Sequence, residues 1–320
     1  HLPQLAERWD ISEDGKQVTF HLRQDVKFHS GNPLTAEDVA WSLYRVMKLN
    51  FGLATTWKAY GYSVENIQSL IRATDAHTLV IDLPQTMDPL LLVDALAIAP
   101  SAVAVDRKTA LAHEKNGDLG AGWLVTNEAG SGPFVLTKWS ANDSLLLTRF
   151  DGYWGGAAKL QRVVVRHMTA SQSLRLMLER GDLDLAYGMA APDIRAIDGS
   201  DKIQVQSLPR GTMYYVAMSM KQPEFAKPKV REAVRNLIDY KGLDQQVMPY
   251  YGTLNQQPMQ LGLEARLPDP GYHMDVAKAK ALLTEAGYPE GFNTTICPLS
   301  EPPFIDIAAR LQATLAEGGI

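Results

Sequence analysis

Polar and apolar positions alternate in KQVTFHLR, with Val18, Phe20 and Leu22 on one side. A period of two predicts a half-buried strand, entered here through the Asp14-Gly15 turn signal. HTLVIDL (77–83) predicts another strand, ended by Pro84. Between them the period lengthens. Val39, Leu43, Val46 and Met47 recur at helical spacing behind Thr35, an N-cap candidate, with Glu37 and Asp38 in the first turn. PLLLVDALAIAP (89–100) reads as a buried helix or a helix–strand segment. It is too short to cross a membrane and carries Asp94. PFVLTKW and SLLLTRF flank the polar turn SAND, which predicts a hairpin.

The second half predicts alternating strands and helices. LQRVVVRHM (160–168) is strand-like, SLRLMLERG (173–181) is a short helix ended by Gly181, and DLDLAY (182–187) is strand-like again. Strand, helix and strand at this spacing predict a parallel βαβ unit. IQVQSL (203–208) and TMYYVAMSM (212–220) predict further strands. Pro228 opens a helix with Val230, Ala233, Val234, Leu237 and Ile238 as its stripe. Asp275 caps another helix, ended by Gly287 and Pro289; GFNTTI follows as a strand, and PFIDIAARLQATLAE (303–317) as the last helix. Such a helix normally feeds a return strand, so the native protein is expected to continue past Ile320. The pattern predicts two α/β bodies joined near residue 215.

Composition narrows the function. Hydrophobic residues at 46% and charged residues at 21% fit a globular core. A net charge of −5, without long runs of like charge, argues against nucleic acid as a partner. The one cysteine, Cys297, excludes an internal disulfide and a cysteine-based zinc site.

Gly130-Ser131-Gly132-Pro133 invites three readings: a phosphate cradle, a reactive serine or a turn. The phosphate fingerprint has Val135 where its third glycine belongs, and these glycines precede a strand rather than a helix. Ser131 lacks the spacing and flanks of a nucleophile elbow. A turn is left, with glycine for unusual backbone angles and Pro133 setting the strand's entry. The seven histidines show no H-E-x-x-H pairing, Asp182 and Asp184 read as a solvated face, and Asn293 begins a chance N-x-T.

Open α/β sheets bind ligands beyond the carboxyl ends of their strands. That rule points to His167 and Met168 at one strand end, and to Tyr187, Gly188 and Met189 at the next. Met213, Tyr214 and Tyr215 lie just where the second body begins. Tyrosine suits a pocket wall, being a flat apolar ring with one polar tip. On a strand, at most one of Tyr214 and Tyr215 faces the cleft.

The stretch LAERWDISEDGKQVTFHLRQDVKFHSGNPLTAEDVAWSL resembles the opening signature of the extracytoplasmic solute-binding proteins of ABC transporters, in the peptide, opine and nickel class. GSGPFVL, DGYWGG, Gly181-Asp182-Leu183-Asp184, KVREAVRNLID (229–239) and AKALLTEAGYPEGF resemble further family stretches, in order, over nearly the whole chain. The resemblance implies an α/β, two-lobed, periplasmic-binding-protein-like fold (type II, cluster C), incomplete at both ends. Residues 1–213 would form most of lobe one, with a small extra subdomain over about 1–129; residues 214–320 would begin lobe two. It implies a non-enzymatic, monomeric protein outside the cytoplasm, periplasmic or membrane-anchored. Such a protein captures a small molecule or peptide between its lobes and hands it to an ABC permease, without metal or cofactor. Two departures stand out. Ser219 replaces the asparagine that usually ends the strand before lobe two. The loop CPLSEPP carries only Glu301 where dipeptide binders place an arginine, which argues against a free dipeptide and adds Ser300 and Glu301 to the ligand candidates. The alternatives are a hydrolase using Ser131 or an acid pair, and a sensory or chaperone-like module of the same fold.

Overall fold

The computed structural model describes residues 2–98, 102–208 and 210–320. His1 and the end of the 89–100 stretch lie outside the described residues. The chain divides into two compact units, one through His167 and one from Met168.

In the first unit, β1 (Ala6–Ile11), β2 (Gln17–Leu22), β3 (Ile71–Asp75) and β4 (Thr78–Asp82) pair antiparallel in the order β1-β2-β4-β3. β5 (Phe134–Ser140), β6 (Ser144–Arg149) and β7 (Arg162–Arg166) form a second antiparallel sheet. Helices α1 (Ala36–Lys48), α2 (Ala54–Ala59), α3 (Ile67–Leu70), α4 (Pro89–Ile98), α5 (Arg107–Ala112) and α6 (Ala121–Leu124) complete the unit. The alternation in β2 is read out directly: Val18, Phe20 and Leu22 are buried and the residues between them are half-buried. They share one core with Leu43 and Met47 of α1, Trp57 of α2 and Leu92 of α4. At the start of α1 the Asp38 carboxylate accepts from the Thr35 backbone N–H (2.9 Å) and hydroxyl (2.7 Å).

The stretch KFHSGNP is a polar clip. Gly31 takes φ +89°, where a side chain would be strained, so the loop can fold back on itself. Phe28 N–H donates to Asn32 O at 2.9 Å. Ser30 Oγ (2.6 Å) and Asn32 Nδ2 (2.9 Å) donate to the Asp106 carboxylate, which also caps α5 through Thr109 N–H (3.0 Å) and Oγ1 (2.6 Å). His29 Nδ1 faces Glu128 Oε2 at 2.7 Å, and Nε2 faces Gly132 O at 2.8 Å. Both ring nitrogens therefore meet acceptors, an arrangement that only imidazolium satisfies.

That clip explains the Gly130–Pro133 step. Gly130 N–H donates to Glu128 Oε2 (2.8 Å), Gly130 O accepts from His29 N–H (2.9 Å), and Pro133 O accepts from Phe150 N–H (2.9 Å). Neither Gly130 nor Gly132 adopts a positive φ, so the unusual angles expected of them are absent; backbone hydrogen bonding holds the turn. The turn also bears on catalysis, because His29 Nε2 is engaged by the Gly132 carbonyl rather than by Ser131.

Burial of the His29 ring opposes its charge, but the hydrogen bonds to Glu128 and Gly132 outweigh burial and raise its pKa above the ordinary imidazole value. The unfolded value is about 6.5. The stabilisation is therefore fully present below that pH and is lost as pH rises through the higher folded value. Urea titrations of wild type and His29→Gln between pH 5 and 9 should show a stability gap that narrows toward the alkaline end. A gap independent of pH would remove the charged-ring assignment.

The second unit contains α7 (Ser171–Arg180), α8 (Ala191–Ile197), α9 (Pro223–Ala226), α10 (Pro228–Asn236), α11 (Tyr240–Gly242), α12 (Val276–Glu285) and α13 (Phe304–Glu317), with a π-helical turn Leu243–Val247 after α11. Val230, Ala233, Val234 and Leu237 of the predicted stripe pack with Ala279, Leu283, Leu311 and Leu315. Asp275 caps α12 by accepting from Lys278 N–H at 2.9 Å.

The strands expected over 182–187, 203–208, 212–220 and 291–296 do not form, nor does the parallel βαβ unit; both sheets among the described residues are antiparallel. Alternation reports which side chains seek burial, but a strand also needs a neighbour to complete its ladder. These runs are without such a partner among the described residues; Leu183, Ile203 and Val205 pack on a small core, whereas Leu185 is 80% exposed and Leu208 77%.

Candidate functional site

These unpaired runs line a cleft of about 3000 Å³ inside the second unit. The stretch Leu183–Met189 and the residues Thr212–Met218 contribute to it, together with Met248–Leu254, Thr294–Leu299 and Phe304 at the start of α13. Drug-sized pockets run to about 300–1,000 Å³, so the space exceeds what a small metabolite needs.

Of the sequence candidates, Tyr187, Gly188, Met189, Met213, Tyr214 and Tyr215 all line this cleft. Met189 is 4% exposed, packed with Leu174 and Ile197; its carbonyl accepts from the Tyr251 hydroxyl. Tyr214 lies against Phe304, with ring centroids 5.3 Å apart. Tyr215 is 77% exposed. With no strand at this point, the alternation rule does not divide the two tyrosines, and both reach the lining. Ser300 and Glu301 stand outside the lining, although Glu301 is close enough to oppose ionisation of Tyr214 and Tyr251. His167 and Met168 do not line it either; His167 N–H donates to Asp143 O.

Sequence reasoning missed Tyr250, Tyr251, Arg210 and Phe304. The signal for the first two was the pair in MPYYGT (248–253), a second tyrosine doublet of the kind already noted at Tyr214. Burial and the neighbouring Tyr214, Asp306, Tyr187 and Glu301 push the Tyr251 hydroxyl up to about 12. Tyr214 is raised as well, by burial first and Tyr187 next, while Arg210 pulls the other way. These phenols stay neutral at ordinary pH and act as hydrogen-bond donors. The long segment after the π-turn is fastened by side chains. Gln256 Nε2 donates to Tyr272 O (2.6 Å) while Gln256 Oε1 accepts from Tyr272 N–H (2.7 Å). Arg266 Nη2 bridges Asn255 (2.9 Å) and Asp269 (2.6 Å).

Cys297 is an exposed free thiol on the cleft wall. Among the described residues no three of His, Cys, Asp and Glu come together as a metal-binding group, and no helix is long and apolar enough to cross a membrane. The chemistry on offer is aromatic stacking, neutral hydroxyls and a few charges, which suits recognition of a solute.

The chain is similar to known proteins over nearly its whole length. The probable D,D-dipeptide-binding periplasmic protein DdpA of Escherichia coli strain K12 is 29% identical over 99% of this chain and 59% of its own length. A glutathione-binding protein, GsiB, of Pectobacterium atrosepticum is 28% identical over 91% of this chain and 54% of its own. The chain thus spans little more than half the length of these curated relatives. Among solved structures, the periplasmic binding protein DppA of Helicobacter pylori in complex with the peptide STSA matches with a TM-score of 0.77 at 27% identity, over 99% of this chain and 63% of that one. MoaA from A. tumefaciens R10, in complex with mannopinic acid, matches with a TM-score of 0.82 at 23% identity, over 99% and 62%. The α/β periplasmic-binding-protein fold expected from the sequence is the fold shared with these structures. Residues 2–320 match the family model as one stretch, and the chain belongs to the bacterial extracellular solute-binding proteins, family 5 Middle.

Proposed function

We propose that the protein is the solute-binding component of an ABC importer, taking a small solute of oligopeptide kind into the tyrosine-walled cleft and delivering it to a membrane permease. The observation that carries this reading is the cleft itself, in which Tyr187, Tyr214, Tyr215 and Tyr251 face a space large enough for several residues of peptide. Names of the relatives point the same way, since DdpA and GsiB are described as binding dipeptides and glutathione. On this reading the protein works outside the cytoplasm, as a monomer and without catalysis. The lobe boundary falls near 213/214, so that the cleft separates segments on either side of Met213, and the solute selects a closed form by touching both.

Native mass spectrometry and thermal shift on the full-length protein test the proposal. A casein digest should raise the melting temperature, and a peptide-sized mass should remain bound. Tyr214→Ala should weaken that binding about tenfold, as loss of a packed aromatic anchor does. A protein that takes up nothing from peptides, opines, sugars or metal chelates is not a solute-binding protein of this kind.

A further inference from the structure

The cleft holds charges that its relatives' names do not explain. Arg231 and Arg235 line it but are committed: Arg231 Nη1 donates to Phe225 O (2.7 Å) and Ala226 O (3.1 Å), and Arg235 Nη1 donates to the Tyr272 hydroxyl (3.1 Å). Arg180, Lys202 and Arg210 also line the cleft and form no ion pair among the described residues; of the three, Arg210 is the one seated over a tyrosine ring. Its guanidinium carbon lies 5.8 Å from the centroid of the Tyr187 ring, within cation–π range. It is also near enough to Tyr214 to favour that phenol's ionisation. The backbone beside it is held. Gln260 Nε2 donates to Gly211 O, and Asn255 Nδ2 reaches Met213 Sδ at 3.7 Å. Glu301 and Asp306 lie toward Tyr251, with no ion pair of their own among the described residues. The tyrosine cluster therefore has an unspent guanidinium and two unspent carboxylates around it.

We propose that Arg210, seated on Tyr187, is the anion anchor of this cleft, receiving a carboxylate of the solute as a bidentate fork and setting its direction along the tyrosine wall. A guanidinium presents parallel N–H donors matched to a carboxylate, and an aromatic face beneath it limits the rotamers lost on binding. Asp306 bears on Tyr251 and opposes a carboxylate placed at that end of the tyrosine wall. The loop CPLSEPP has no cation for that task. This inference rests on the cleft reading above and adds which chemical group the solute must carry.

The test compares a casein digest with the same digest after methyl esterification, which removes the negative charge from every carboxyl. Half-saturating concentrations are read by thermal shift on the full-length protein. Wild type should bind the free digest about tenfold or more tightly than the esterified one, the size of a charge-assisted hydrogen-bonded pair. R210Q should lose that preference and bind both mixtures alike, with an unligated melting temperature equal to wild type because Arg210 is exposed. R210K, a charge without the fork, should keep part of the preference. A further check is the retained component, identified by mass spectrometry and compared with its C-terminal amide. Equal wild-type affinity for the free and esterified digests, or R210Q binding the free digest as tightly as wild type, overturns the anchor and leaves the cleft reading intact. A wild type that takes up neither mixture overturns the cleft reading, and the anchor with it.

Discussion

Asp106→Ala should lower the stability of the first unit by about 2–3 kcal/mol, because it removes a buried acceptor that several exposed or half-buried donors share. Asp106 is 1% exposed. Ser30, Asn32 and Thr109 all direct donors at its carboxylate, and its own backbone N–H donates to Ala129 O at 2.9 Å. One residue thus ties the 28–32 loop to the start of α5 and to the strand entry at Gly130. Burial opposes ionisation of Asp106, but the hydrogen bonds from Ser30, Thr109 and Asn32 outweigh it, and its pKa lies below the ordinary carboxylate value. A depressed folded pKa contributes stability above the unfolded value of about 3.9, and that stability is lost as pH falls through the folded value. Urea unfolding of wild type and Asp106→Ala should therefore show the full gap at pH 6 and a shrinking one below about pH 4. Asp106→Asn keeps one acceptor oxygen and should recover part of the loss. A gap under about 1 kcal/mol at pH 6, the worth of a single ordinary hydrogen bond, would mean that water replaces the carboxylate cheaply and the clip is not structural.

The clip also shows what was legible in the sequence. The strand at β2, the cap at Thr35, the β5–β6 hairpin and the stripe of α10 follow from local periodicity and local hydrogen-bond chemistry, and all formed. Asp106 and Glu128 have local partners in Thr109 and Gly130, but the contacts that join them to the 28–32 loop span 74 to 103 residues of sequence, and only the fold brings those together. The four missing strands fail for a related reason, since pairing is a property of two segments and alternation of one. At the cleft, Tyr187 and Tyr214 were legible through the rule that ligands bind beyond strand ends, and they line it although those strands do not form. Arg210 was not, because a single arginine in an exposed loop reads as solvated until its distance to Tyr187 is known. Ser300 and Glu301 came from a family comparison of loop positions, and the loop places them beside the lining rather than in it.

Gly291→Ala should be among the most damaging single changes in the second unit, and its effect should reach the cleft. Gly291 has φ +77°, so any side chain is strained there. A Cβ would also meet Gly319 O at 1.8 Å and Gly319 C at 2.5 Å, backbone atoms that no rotamer change moves. Gly319 is itself at φ +90°, and its carbonyl accepts from Phe292 N–H at 3.1 Å. The end of α13 and the segment leaving α12 therefore cross with main chain against main chain. Phe292 locks the crossing from the other side, edge-on to Phe225 with ring centroids 5.6 Å apart and against Tyr288 at 5.4 Å. Strain of about 1–3 kcal/mol for the backbone angle adds to the cost of parting two packed segments, so a total of about 3 kcal/mol or more is expected. From this crossing the chain runs on as Thr294–Leu299, a wall of the cleft that includes Cys297. Two readouts follow: a lower urea midpoint, and a changed rate of Cys297 alkylation in unligated protein. Gly291→Ser should behave like Gly291→Ala, since both add a Cβ. Should Gly291→Ala fold with wild-type stability and leave Cys297 reactivity unaltered, the close crossing would not be what positions this wall.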